Sequence, residues 1–193
     1  MMRAVTLCLV LSCLGLHAAN AENRSQAQFE QEATEAIKEL ATHLKGALMN
    51  AMQDGGPVEA VNVCHTLAPV LAANVSEKYG LTIYRTSRKI RNTSNSPDDW
   101  ENRVMEQFES RLADGEAIQK LTFSEKVSTA NSTEWRMMKA IPTDKVCLSC
   151  HGSKIAEPIQ AAIMQYYPDD MATGFKLGEI RGAFSVRKSS VAD

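Results

Sequence analysis

The stretch Cys147-Leu148-Ser149-Cys150-His151 narrows the possibilities for this chain more than any other. It sets two thiols two residues apart and adds an imidazole at once. Three chemistries use such a set. A thiol–disulfide switch places Cys-x-x-Cys at a helix start, where the thiol pKa falls, and has no need of the histidine. A tetrahedral zinc shell could combine Cys147, Cys150, Cys64 and either His65 or His151, although no second Cys-x-x-Cys completes the usual pattern. Covalent haem c uses every residue. The two sulfurs form thioethers on one edge of the porphyrin, and the adjacent histidine becomes the proximal ligand of the iron. Haem is the reading that leaves nothing idle.

The start of the chain bears on the compartment. Met-Met-Arg precedes an apolar run from Ala4 to Leu16, and Ala19-Asn20-Ala21 precedes a polar stretch. A basic start, a short apolar core and an Ala-x-Ala end read as a signal peptide over residues 1–21. Export to the periplasm follows, where c-type attachment takes place in bacteria. The apolar run is shorter than the roughly 20 residues of a spanning helix. A second reading takes Val10-Leu11-Ser12-Cys13 as a lipoprotein box and anchors the chain by a lipid on Cys13. No later stretch reads as a transmembrane segment. The formal net charge of −2 is spread among mixed signs with no basic block, so a nucleic-acid partner is not expected.

Of five cysteines, Cys8 and Cys13 fall in the leader. Cys64, Cys147 and Cys150 remain, an odd number for an exported disulfide protein. If the motif pair works together, Cys64 needs its own explanation.

Periodicity organises the rest into one expected domain over residues 22–193. Phe29, Ala33, Ile37, Leu40, Leu44 and Leu48 recur at helical spacing and predict an amphipathic helix over 25–53. Asp54-Gly55-Gly56-Pro57 breaks it, and a second helix runs to Gly80 with Ala60, Cys64, Leu67, Leu71 and Val75 as its apolar stripe. Residues 81–85 alternate as a strand. Ser96-Pro97-Asp98-Asp99 signals a third helix, with Ser96 as cap and Trp100, Val104, Phe108 and Leu112 facing the core. Strands are expected over 121–127, 134–141 and 179–187, and a short helix over 155–166. Helices grouped early and strands in hairpin-like order predict an α+β fold with an antiparallel sheet.

Several motifs in order resemble those of a monohaem c-type cytochrome family with a PAS-like fold. They are Cys64-His65, Arg85-Thr86-Ser87, Arg91-Asn92, Asn95, Pro97-Asp98, Trp100-Glu101, the Cys147–Gly152 motif, Gly174-Phe175, and Gly178 through Ala183. Members of that family occur as small exported proteins and as extracytoplasmic sensor domains. The resemblance implies a PAS-like antiparallel sheet with long N-terminal helices and one covalently attached haem c, bound through Cys147, Cys150 and His151. It implies a role in redox or small-ligand sensing through a redox or signalling partner, since the chain carries no kinase or cyclase module.

The residues alone leave the sixth iron ligand open among Cys64, His65, His43, a methionine or no protein group. The methionines read mainly as core filler. The resemblance implies Cys64, by its match to a position associated with thiolate ligation. Arg85 ends a strand beside Arg88, Lys89 and Arg91, and its fork suits a haem propionate. The alternatives to a sensor are a periplasmic electron carrier, a haem enzyme such as a peroxidase, and a structural zinc protein. A strong protein ligand opposite His151 argues against the enzyme.

Overall fold

The computed structural model describes residues 10–128 and 133–190. The expected signal peptide covers residues 1–9, which lie outside the described residues, and runs into the first helix. The side chains up to residue 24, Cys13 among them, lie outside the description as well.

Helix α1, Val10–Asp54, starts before the expected residue 25 and ends at the expected Asp54-Gly55-Gly56 break. Gly56 takes φ +73, a left-handed turn that suits a residue without a Cβ, and the chain reverses there. Helix α2, Gly56–Tyr79, packs along α1 and stops at Gly80, which takes φ +61 and donates its N–H to the carbonyls of the last turn. By length and composition alone α2 could cross a membrane, which the sequence reading did not anticipate. It is rich in alanine and valine, with Asn62, His65, Thr66 and Asn74 spaced between them. Its buried stripe also differs from expectation. Ala60, Val61, Ala68 and Val75 are buried, whereas Leu67 faces out at 38% exposure. The buried face is thus rotated toward Val61 and Ala68.

Strands β1, Thr82–Thr86, β2, Thr122–Ser128, β3, Thr133–Pro142, and β4, Ile180–Ser190, form one antiparallel sheet in the order β1-β4-β3-β2. The sheet has a helical layer on each face. On one side Ile83, Trp135, Met137, Phe184 and Val186 pack against Phe29, Ala33, Ile37 and Leu40 of α1. On the other, Met138, Ala140 and Ala183 meet Trp100, Val104, Met105 and Phe108 of helix α3, Asp99–Ala113. The expected α+β fold, with a PAS-like antiparallel sheet and long N-terminal helices, is the one the chain adopts.

The start of α3 corrects one detail. Asp98, not Ser96, is the cap. Its carboxylate accepts from Glu101 N at 2.8 Å while Glu101 accepts from Asp98 N at 2.9 Å, a reciprocal capping box. Ser96 instead closes the preceding turn on Thr93. Glu101 is buried, and it also accepts the Tyr84 hydroxyl, while Arg136 lies over Trp100 and reaches Asp98 at 2.6 Å. Asp98, Trp100 and Glu101 therefore secure α3 to the sheet.

Candidate functional site

The cysteine motif sits between the sheet and α2. Cys147 ends a 3-10 turn, Lys145–Cys147, and leads into the single turn of helix α4, Leu148–His151. Helix α5, Glu157–Tyr166, follows and lays Ile159 and Ile163 on Val61 of α2, with Cys150, Ile155 and Tyr167 around them. The turn sets Cys150 and His151 three and four residues beyond Cys147, so the three side chains lie on one side of it. Gly152 turns the chain away. A Cβ there would lie 2.6 Å from the Leu148 carbonyl, so a larger residue would push the turn apart.

A second segment, residues 170–175, clasps this turn. Phe175 N donates to His151 O at 2.9 Å, and Gly174 N to Gly152 O at 3.0 Å. His151 Nδ1 lies 2.8 Å from the Ala172 carbonyl. A carbonyl only accepts, so Nδ1 carries the proton and Nε2 keeps its lone pair. Burial, reinforced by the positive charges of Arg181 and Arg91, pulls the imidazole pKa down to about 2. His151 is therefore neutral across the physiological range, the state in which imidazole binds a metal.

Arg91 pins the clasp. Its guanidinium grips Asp170 at 3.1 Å and 2.9 Å, and the same Nη2 donates to Cys150 O at 2.6 Å. Asp170 Oδ1 also accepts from Ala172 N at 2.9 Å. One buried ion pair thus fixes both the motif and the carbonyl that orients His151. Sequence reasoning missed Asp170, because nothing local distinguishes it from a turn residue. Arg91 was read as part of a loop cluster, and that cluster divides in the structure. Arg88 pairs with Glu109 at the surface, and Lys89 lies over the Phe175 ring.

Cys64 of α2 lies close enough to Cys150 for a charge on one to act on the other. Burial raises its thiol pKa, and Arg85 is the foremost charge opposing that rise. Arg85 shares a strand face with Ile83, the side on which α1 and α2 pack. Burial lowers the pKa of Arg85, and the described residues give it no hydrogen bond or ion pair. Arg181 stands near His151 and lies over the Phe175 ring at 5.1 Å. Its pKa falls to about 10, through burial and the nearness of Arg91 and Arg85. Phe175 also packs edge-on against His151 at 6.3 Å. Neither Arg181 nor Phe175 was singled out as a site residue from sequence, although both belong to the closing motif.

His65 has a different setting. Its ring stacks on Tyr166 at 4.4 Å and meets Tyr167 edge-on at 5.3 Å. Among the described residues the three cysteines are free thiols, and no group of three or more His, Cys, Asp and Glu side chains is placed to hold a metal ion. The shell that a zinc site would need from Cys64, Cys147, Cys150 and a histidine is not gathered.

Comparison with known proteins gives a consistent result. A family model described as Tll0287-like matches residues 16–189. The crystal structure of a cyanobacterial heme-protein, Tll0287, is similar in fold, with a TM-score of 0.63 at 22% identity over 86% of this chain and 98% of that one. No curated protein matches the chain.

Proposed function

The chain belongs to the Tll0287-like family, and we propose that it is an exported monohaem c-type protein of one domain that senses redox state or a small ligand through a protein partner. The observation that carries this reading is the His151 clasp. An imidazole fixed through Nδ1 to the Ala172 carbonyl, beside two free thiols spaced by two residues, is a donor set that suits a haem. The surroundings fit it as well. Arg85 lacks an anion, and Arg181 Nε is buried without a partner among the described residues.

In this reading Cys147 and Cys150 would hold the porphyrin by thioether bonds, and His151 Nε2 and the Cys64 sulfur would be the donors to the iron. Arg85 is a propionate partner. Haem supplies reversible one-electron chemistry when bound, and a thiolate donor favours its ferric state. The remaining work is the protein's. Arg91 and Asp170 hold the proximal imidazole in one tautomer. The aromatic side chains of Phe175 and Tyr167 shield the site from water. Arg85 supplies positive charge beside Cys64. An electron-carrier role is the second reading, favoured by the Arg91–Asp170 clasp, since a proximal side fixed this tightly reorganises little when the charge changes.

The test is retention of colour. Protein produced with haem-attachment machinery should keep its absorbance through denaturation and acid–acetone extraction. Colourless protein carrying one zinc per chain would sink the reading. Its processed N-terminus, read by mass spectrometry, should be residue 22. A diacylglycerol on Cys13 would show the lipid-anchored alternative instead.

His65→Ala should leave the ferric spectrum unchanged, because His65 is engaged by Tyr166 and Tyr167. Its cost should be loss of the ring stacking, about 0.5–1.5 kcal/mol in denaturant unfolding. Conversion to a high-spin spectrum on this change alone would make His65 the ligand and Cys64 the bystander.

A further inference from the structure

Arg181 is the second residue of β4 and the one passed over where the register shifts between the pairs Ile141–Gly182 and Pro142–Ile180. Its backbone is fixed by Ser87 Oγ, which donates to Arg181 O at 2.8 Å. Its side chain is held from below by the Phe175 ring and makes one long bond, Nη1 to Lys89 O at 3.4 Å. Nε is buried with no acceptor among the described residues. The residue as a whole is half-buried, but a guanidinium nitrogen that is itself buried without an acceptor is costly unless an anion meets it. The nearby carboxylate cannot serve. Asp170 is committed through Oδ1 to Arg91 Nε and Ala172 N, and through Oδ2 to Arg91 Nη2.

Charge sharpens the point. Arg85, Arg91 and Arg181 act together on His151, while Asp170 is the acidic group set against Arg181. Three positive charges and one negative leave an excess of two. Haem carries two carboxylates. Arg85 acts on both Cys64 and His151, and Arg181 is the foremost charge on His151, so both unmatched cations bear on the candidate donors.

We propose that Arg181 is a carboxylate anchor of the His151 site, taking one haem propionate through its unpartnered Nε and terminal nitrogens while the Phe175 ring, which also meets His151, supports it. The inference rests on the haem reading above. It makes Arg181 a binding residue and Phe175 the support shared by the anchor and the proximal histidine.

The test separates the anchor from a merely structural arginine. In a Cys147→Ala/Cys150→Ala background, haem and its dimethyl ester are titrated into the full chain. The ester cannot offer a carboxylate, so it should bind more weakly than haem. Arg181→Gln should shrink that preference by about tenfold, the scale of one charge-assisted hydrogen bond. Arg88→Gln, which loses a surface pair with Glu109, should leave it alone. Arg181→Lys keeps the charge without the fork and should fall between. An undiminished preference in Arg181→Gln overturns the anchor, as does no preference in the parent, a comparison that needs no variant at position 181 to fold. A loss equal for haem and ester, and relieved by added acetate, would assign Arg181 to a diffusible anion and also overturn it. Colourless wild-type protein would instead overturn the haem reading itself. With haem covalently attached, Arg181→Gln should also move the pH dependence of the midpoint potential toward higher pH, because a carboxylate that loses its cation takes a higher pKa. A profile identical to wild type counts against the anchor.

Discussion

Cys64→Ala is expected to convert a low-spin ferric spectrum to a high-spin or water-bound one, raise the midpoint potential, and open the site to carbon monoxide and cyanide. The argument starts from the thiol's position. Cys64 is half-buried on α2 near Cys150, and Arg85 opposes the rise that burial imposes on its pKa. A thiolate pushes electron density onto the iron, so its removal favours the ferrous state. No ready substitute is at hand, because His65 is engaged by two tyrosine rings. Attachment through Cys147 and Cys150 should survive, since those bonds are separate chemistry. Alanine suits the middle of α2, so the packing loss from the missing sulfur should be small, and circular dichroism should report a folded chain. Folded Cys64→Ala with wild-type spectrum and potential would return Cys64 to the core.

The second large effect concerns stability. Arg91→Leu should destabilise the protein by about 3–5 kcal/mol, the usual penalty for orphaning one partner of a buried ion pair. The side chains of Arg91 and Asp170 are 13% and 4% exposed, so water cannot take over the lost contacts. The Cys150 carbonyl loses its 2.6 Å donor at the same time. Thermal unfolding should drop by about 6–20 °C for a chain of this size. Adding Asp170→Asn should recover part of the loss by removing the stranded charge, a non-additivity that marks direct coupling. A single-variant cost under about 1 kcal/mol, with no recovery in the double variant, would show that the pair is worth no more than a surface bridge. Because Asp170 also positions Ala172, whose carbonyl orients His151, the haem spectrum of Arg91→Leu should broaden toward mixed spin.

The two variants separate two layers of the site. Cys64→Ala changes a proposed donor and spares the scaffold. Arg91→Leu spares every donor and loosens the clasp that aims one of them. If the sensor reading holds, hydrogen exchange between oxidised and reduced protein should differ around Cys64 and α2. A carrier should show the same protection in both states.

Much of this protein is legible in the linear order of its residues. The breaks at Gly55-Gly56 and Gly80, the alternation in the four strands and the apolar spacing of α1 and α3 are local matters. They follow from backbone geometry and from which side chains repeat at two or at three to four residues. The cysteine motif is local too, because Cys147 stands at the cap of the single turn that carries Cys150 and His151. What the line of residues could not give is pairing at a distance. Arg91 and Asp170 lie 79 residues apart, and only the packing of the 170–175 segment against α4 turns a loop arginine into the pin of the site. Leu67 fits the helical stripe as well as Val61 does, and only the neighbours α1 and α5 decide which of them is covered. Arg181 looks from sequence like any arginine at the start of a strand. Its unmet charge exists because the fold encloses it with Arg85 and Arg91 and spends the nearby carboxylate on Arg91. Periodicity fixes what each segment becomes, because it is written among near neighbours. The partners of a buried charge are set by tertiary packing, since a low-dielectric interior makes each unpaired group costly wherever in the chain its partner lies.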